Sequence, residues 1–136
     1  MKANAIQRVT FVAVAIFLTS AGAGSAQHMN AKDAPCQAGS TADETRCFFQ
    51  EAQVADRELN LVYNKIRTAL SPTDQKKLQE AQRLWVQFRD ANCAAERELY
   101  DGGSAAPMVY QACLGADARQ RTAELNVMYG WRLEKY

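Results

Sequence analysis

Apolar residues recur along the chain at alternating steps of three and four, the period of a helix that buries one face. From Phe48 the series runs through Ala52, Ala55, Leu59, Val62, Ile66 and Ala69, which predicts a helix over about 42–70. Thr41 followed by Glu44 matches a capping box at its start, in which each side chain satisfies a backbone N–H of the first turn. Ser71-Pro72-Thr73-Asp74 then ends this helix and opens a second. Ser71 caps, Pro72 suits the first helical position, where no amide hydrogen is needed, and Asp74 sits at the positive end of the helix. In the second helix Leu78, Ala81, Trp85, Phe88, Asn92, Ala95 and Leu99 keep the spacing, with Lys76, Lys77, Glu80, Arg83 and Gln87 outside the stripe. Two long helices joined by so short a turn lie antiparallel.

The paired glycines of Asp101-Gly102-Gly103-Ser104 interrupt the pattern, because glycine supplies the positive φ angles that end helices and shape turns. A third helix is expected from near Ala106, carrying Tyr110, Leu114, Ala118, Leu125, Met128 and Tyr129, and the tail from Trp131 to Tyr136 docks through Trp131 and Leu133 or frays. The fold class is therefore all-α: an antiparallel helical hairpin plus a third helix, a three-helix bundle. Glu58 to Tyr63 reads ELNLVY and Glu124 to Tyr129 reads ELNVMY, the same helix face used twice rather than a repeat architecture.

The first 26 residues carry a different pattern. Lys2 and Arg8 lie in a basic head, Phe11 to Leu18 form an unbroken apolar run, and Thr19 to Ala26 are rich in Ala, Gly and Ser. That is the order of a secretory signal peptide, and the run is too short for a transmembrane helix. Cleavage is expected after Gly24-Ser25-Ala26, with Ala21-Gly22-Ala23 as a second site, and no Cys follows either. Residues 27–40 lack periodicity and read as an extended lead-in, so the helical domain spans 41–136. Over the whole chain 16 Lys plus Arg oppose 15 Asp plus Glu; without Lys2 and Arg8 the mature chain keeps 14 basic residues and a net charge of −1. This balance excludes a basic nucleic-acid module and an acidic disordered tail alike.

All four cysteines, Cys36, Cys47, Cys93 and Cys113, follow the signal peptide, and an even count in a small exported chain reads as two disulfides. Their spacing offers no CxxC and no nearby His, which speaks against a metal or haem site. If the second turn is centred on Gly102-Gly103, Cys93 and Cys113 lie level on the helices that flank it. Cys36 then pairs with Cys47, and the rival connectivity is Cys36 with Cys93 and Cys47 with Cys113. If the first turn is centred near residue 72, residues whose numbers sum to about 145 lie level, since both helices rise equally. Asp56 then faces Arg89, Leu59 faces Trp85 and Tyr63 faces Gln82. The Arg89 fork is expected to meet Asp56 through two hydrogen bonds, as a semi-buried structural bridge.

The chain carries no GxSxG, HExxH, P-loop or GxGxxG. Its one histidine, His28, lies in the lead-in and is a poor general base, and Glu96 with Glu98 point apart on a helix. These points predict a protein that is not an enzyme and uses no cofactor. Arg119, Arg121 and Arg132 are interleaved with Asp117 and Glu124, the pattern of a solvated helix face. The Tyr100-Asp101-Gly102-Gly103-Ser104 turn is long enough to project beyond the bundle and is the candidate partner-binding element.

Taken in order, Cys36, Cys47, Asp56-x-x-Leu59-Asn60-x-x-Tyr63, Leu78, Gln82-x-x-Trp85-x-x-x-Arg89-Asp90-x-x-Cys93, Tyr100-x-Gly102-Gly103, Cys113, Arg121 and Leu125 resemble the LprI-type lysozyme-inhibitor family. The resemblance spans roughly residues 36–125. It implies a periplasmic or secreted, disulfide-bonded helical domain with a lysozyme as partner; Asp56, Leu59, Asn60, Tyr63, Gln82, Trp85 and Arg89 are the candidate structural residues. No lipid-attachment Cys is present, so no stable membrane anchor is expected after signal cleavage. Inhibition requires no catalytic residue: a rigid element that plugs the muramidase cleft and offers hydrogen bonds or charge to its two carboxylates suffices. The alternative is a periplasmic helical chaperone or envelope-stress adaptor, suggested by the hairpin and by Ser71-Pro72-Thr73-Asp74-Gln75, or a structural envelope domain.

Overall fold

The computed structural model describes residues 28–31, 34–36 and 39–134; the predicted signal peptide lies outside them. Three helices, α1 (Thr41–Ala69), α2 (Pro72–Glu98) and α3 (Ala106–Leu133), follow a short 3-10 turn at His28–Asn30, and no strand occurs among the described residues. The all-α class, the three-helix order and the breaks at Leu70–Ser71 and Leu99–Ala105 agree with the hydrophobic periodicity.

The cap of α1 lies one residue earlier than the sequence pattern places it. Ser40 has an extended backbone and is the N-cap: the Asp43 N–H donates to Ser40 Oγ at 3.3 Å, and the Ser40 N–H donates to Asp43 Oδ2 at 3.3 Å. Asp43 therefore fills the reciprocal role expected of Glu44, and its carboxyl is held below the usual range, chiefly by the Ser40 hydroxyl. At α2 the expected device is present, with Ser71 accepting from the Asp74 N–H and Pro72 in the first turn. No side chain caps α3 at Ala105; Pro107, which has no N–H to satisfy, occupies its first turn.

On α1 the buried row is the predicted one, with Phe48, Ala52, Ala55, Leu59 and Ile66 inside. The main core joins Ala55, Leu59, Ile66, Leu78, Ala118 and Leu125, with Tyr63, Trp85 and Tyr129 packed on it. A second cluster at the other end joins Cys36, Phe48, Met108 and Ala112. Leu59 and Leu125 of the echoed hexapeptides thus bury in the same core, with Tyr63 and Tyr129 beside them.

On α2 the predicted stripe is corrected. Leu78 is buried and Trp85 half-buried, but Ala81, Phe88, Asn92, Ala95 and Leu99 are exposed. The inward row is Leu78, Gln82, Trp85, Arg89, Cys93 and Glu96, turned to one side of the expected one. The physical reason is that polar members of this row have specific partners: Arg89 meets Asp56, Gln82 meets Arg121, and Glu96 meets His28. A count of apolar residues ranks such positions as surface.

Backbones approach most closely between α1 and α3, less closely between α2 and α3, and least between α1 and α2. The closest helix pair is therefore not the predicted hairpin. Small residues cause this: Ala52 and Ala55 of α1 are buried, as are Ala112, Gly115 and Ala118 of α3. Because α3 is covered by both neighbours, its buried row is broader than predicted and includes Met108, Val109, Cys113 and Thr122, whereas Met128 is 48% exposed. The buried Thr122 hydroxyl donates to the Ala118 carbonyl at 2.9 Å, which leaves no orphaned donor.

Two disulfides join Cys36 to Cys47 and Cys93 to Cys113, with Cα separations of 5.9 and 5.5 Å. This pairing is the one that turn geometry favours and excludes the rival connectivity. Bonds of this kind persist in oxidising, extracytoplasmic compartments. Among the described residues no helix is long and apolar enough to cross a membrane.

Candidate functional site

The α2–α3 connection occupies one end of the bundle. Asp101, Gly102, Gly103 and Ser104 are exposed and Tyr100 is half-buried. Successive backbone bonds shape the turn: the Tyr100 N–H donates to the Arg97 carbonyl at 3.0 Å and the Gly103 N–H to the Tyr100 carbonyl at 2.9 Å. Gly102 has φ +77° with nothing within 4 Å of where a Cβ would stand, so backbone conformation rather than space selects glycine there. Asp101 bends back on the turn, its Oδ1 accepting from the Gly102 N–H at 3.0 Å. Below the turn, the Cys93–Cys113 disulfide ties α2 to α3. Beside it runs a groove of about 790 Å³ lined by Arg97, Glu98, Asp101, Pro107, Tyr110 and Gln111. The Arg97 guanidinium lies over the Tyr110 ring at 5.4 Å, presenting a cation next to the turn.

Six of the seven residues predicted to be structural, all but Asn60, meet in the middle of the bundle. Arg89 Nη1 donates to Asp56 Oδ1 at 2.9 Å, the cross-helix contact that residue counting across the first turn predicts. The bidentate fork is corrected: Arg89 Nε donates to Asp90 Oδ1 at 3.0 Å, so the guanidinium is divided between two carboxylates. Trp85 packs on the core with Leu59 and carries two cations on its ring, Arg89 at 5.2 Å and Arg121 at 5.8 Å. Arg121 Nε donates to Gln82 Oε1 at 3.2 Å and its Nη1 to Glu124 at 3.2 Å. Arg121 is thus drawn inward and is not part of a solvated strip, whereas Arg119 remains exposed and Arg132 lies over Trp131. Leu59 is buried, Tyr63 half-buried against the core, and Asn60 exposed.

The lead-in contributes a contact of which the sequence pattern gives no sign. Within the lead-in expected to be extended, His28–Asn30 forms a 3-10 turn, with His28 Nδ1 2.9 Å from Glu96 Oε2 and its backbone N–H donating to Glu96 Oε1 at 3.3 Å. The other ring nitrogen lies 3.9 Å from Asp117 Oδ1. Burial raises the Asp117 carboxyl above its ordinary value, opposed by the nearby His28, Asn92 and Arg89. Cys93, Cys113 and Asp117, and likewise His28, Glu96 and Cys113, place possible ligand atoms within 4.8 Å of one another. Both sulfurs are joined in a disulfide, however, and a disulfide offers no thiolate to a metal. Glu98 points away from Glu96 into solvent, so the two carboxylates do not converge.

Residues 31–125, which hold both disulfides, the Asp56–Arg89–Trp85 cluster and the glycine turn, match a known family, Lysozyme inhibitor LprI. The chain belongs to that family. A protein of Rhizobium meliloti (strain 1021) whose description is "uncharacterized" is 34% identical to this LprI-family chain over 103 residues, covering 66% of it and 74% of the relative. Among solved structures, a DUF1311 family protein of Pseudomonas putida KT2440 aligns with a TM-score of 0.58 at 23% identity, over 62% of this chain and 89% of that one. At that identity the likeness concerns the fold alone.

Proposed function

We propose that the protein is an exported, non-catalytic binding protein that inhibits a lysozyme by seating the Tyr100–Ser104 turn in the muramidase cleft. The observation that carries this reading is membership in the LprI family over residues 31–125, a span that contains the whole turn. The turn's exposure at one end of the bundle and the Cys93–Cys113 disulfide that ties together the two helices flanking it support the assignment, because a plug gains affinity from being ordered before it binds. A muramidase cleft presents two carboxylates. The Tyr100 and Ser104 hydroxyls and the Arg97 guanidinium are donors suited to such a surface, while Asp101 shapes the turn from within by accepting from the Gly102 N–H. The signal peptide predicted over 1–26 and the two disulfides support a periplasmic or secreted location. With a mature charge near zero, association with a strongly basic lysozyme proceeds without marked electrostatic steering.

The test is a titration of C-type, G-type and bacterial muramidases on peptidoglycan with purified oxidised residues 27–136, against a reduced and alkylated control. Stoichiometric inhibition that disappears on reduction is expected. Absence of inhibition of all three classes at micromolar protein overturns the reading. A second reading, a chaperone or envelope-stress adaptor, is favoured by one specific observation, the exposed apolar row on α2 that includes Leu84, Phe88 and Leu99. Suppression of client aggregation by the oxidised monomer, lost in Phe88→Glu, is its distinguishing result.

A further inference from the structure

The lead-in touches all three helices. Cys36 is bonded to Cys47 of α1, Met29 and Ala34 pack on the cluster that holds Met108 and Ala112 of α3, and His28 binds Glu96 of α2. At His28 it lies over the second disulfide: a ring nitrogen of His28, a carboxylate oxygen of Glu96 and the sulfur of Cys113 are within 4.8 Å of one another. Exposure falls inward here, from 32% for the His28 side chain to 12 and 14% for Glu96 and Asp117, and to 0% at Cys93 and Cys113. A reagent arriving from this side meets the imidazole first. We infer that lead-in residues 28–31 and 34–36 form a strap that shields the Cys93–Cys113 disulfide from reductants, and that protonation of His28 fastens it.

The fastening has two parts. In either charge state the ring can donate from Nδ1 to Glu96 Oε2, 2.9 Å away, while the backbone N–H donates to Oε1 at 3.3 Å. A second attraction exists only for the cation, because Asp117 Oδ1 lies 3.9 Å from Nε2, too far for a hydrogen bond but close enough for charge to act. Histidine ordinarily changes charge between pH 5 and 8. In mild acid the strap is therefore held on both α2 and α3, and at mildly alkaline pH on α2 alone. Below the raised titration of the buried Asp117 carboxyl the second attraction ends, so the window lies above it. Among the described residues the other charged groups around this site are Arg89 of α2, which acts on Asp117, and Glu51 of α1 and Arg119 of α3, which line the groove beside His28. One negative charge against two positive ones does not favour the imidazolium, so Glu96 and Asp117 set the sign.

The shielded bond ties α2 to α3 below the Tyr100–Ser104 turn. A dithiol reductant opens such a bond by thiolate attack on one sulfur, which breaks S–S and leaves a mixed disulfide. Its second thiolate then displaces the protein sulfur, so Cys93 and Cys113 end as thiols, protonated from solvent, and the reductant as a cyclic disulfide. Attack requires an open line to a sulfur, and fully buried cysteines offer one when the strap lifts, a local opening rather than unfolding of the bundle. The strap does not depend on the inhibitor reading and is tested without lysozyme.

The experiment follows reduction of the oxidised mature protein by a water-soluble phosphine, which breaks S–S by attack on sulfur and is converted by water to its oxide, leaving two thiols. Samples are quenched by alkylation. Opening of Cys93–Cys113 is scored by mass only in chains whose Cys36–Cys47 bond is intact, because opening that bond frees the strap. The parent is compared with His28→Ala and with His28→Gln, which keeps a hydrogen-bonding side chain but cannot charge, from about pH 5 to pH 8. His28→Gln is expected to open about two- to fivefold faster than the parent in mild acid, the range of a partly exposed ion pair, and at the parent's rate near pH 8. His28→Ala opens faster than both at every pH, and none of these rates rises with urea below the unfolding transition. Equal rates for the parent and His28→Ala overturn the shield, and a ratio of His28→Gln to parent that stays constant with pH overturns the fastening by charge. Opening that steepens with urea as global unfolding does assigns access to unfolding of the bundle and overturns both.

Discussion

Gly115 of α3 lies against the backbone of Ala52 of α1, so closely that a Cβ at position 115 would stand 3.2 Å from the Ala52 Cα. Two helices of the bundle meet at this point without side chains between them, and the neighbour that must yield is main chain. Substitution there separates α1 from α3 and loosens the core on either side.

The glycine pair in α3 makes this testable. Gly130 sits in the same helix with nothing within 4 Å of its would-be Cβ. Gly130→Ala is expected to stabilise by up to about 1 kcal/mol through helix propensity alone. Gly115→Ala makes the same propensity gain but should fall about 1–3 kcal/mol below it because of overpacking, and Gly115→Val should be worse. Thermal unfolding of the three variants checks the order; equal stability of the two alanine variants would sink the close-approach argument.

Arg89 has a 13% exposed side chain and Asp56 one that is 45% exposed. Replacing Arg89 by Ala removes contacts to Asp56, Asp90 and the Trp85 ring together, with an expected cost of about 1.5–3 kcal/mol. Asp56→Ala should cost less, since Arg89 keeps Asp90 and Trp85. Solvent screening at Asp56 limits the pairwise coupling to about 1 kcal/mol at most. A double-mutant cycle measured by urea unfolding isolates that quantity, and zero coupling would make the pair a solvated edge contact.

How far these relationships are legible in the sequence depends on the kind of residue involved. The α1 row Phe48, Ala52, Ala55, Leu59 and Ile66 is apolar throughout, so periodicity alone identifies its buried face. On α2, Gln82, Arg89 and Glu96 face inward because particular groups on other elements satisfy them, and no local pattern announces a partner so distant in sequence. His28 and Glu96 are 68 residues apart, and nothing in the aperiodic lead-in signals that contact. Turn geometry places Cys93 and Cys113 together, since two helices leaving one turn carry level residues side by side, and the disulfide forms there. The candidate turn is legible from Gly102-Gly103 alone, whereas the neighbouring Arg97–Tyr110 pair emerges only in three dimensions.

For the turn itself, the combined substitution Tyr100→Ala and Asp101→Ala is expected to weaken lysozyme inhibition at least tenfold while leaving helical content unchanged, given that a few central contacts dominate most interfaces. Gly102→Asn, which tolerates positive φ, should retain most inhibition, whereas Gly102→Val should lose it through a strained or rebuilt turn. The same muramidase titration provides the readout. Unaltered inhibition in the double variant and in Gly102→Val would remove the plug from the mechanism and move the contact surface elsewhere on the bundle.

Asp117 gives a prediction in pH. Burial raises its carboxyl above 3.8, with Glu96 adding to the rise and His28, Asn92 and Arg89 opposing it. Between 3.8 and the raised value the folded chain therefore holds a proton that the unfolded chain has released, and stability falls as pH increases through that interval. Asp117→Asn cannot ionise and loses this fall. Relative to the parent, the variant should gain stability progressively from acid toward neutral pH and show no such pH-dependent gain below 3.8, where both forms of the parent are protonated. Urea unfolding from about pH 3 to pH 7 measures the difference, with His28→Gln in both chains so that the imidazole cancels. A constant offset between the two profiles would mean that the Asp117 charge is not penalised in the folded state, and that its contact with the lead-in and the Cys93–Cys113 disulfide is one of packing alone.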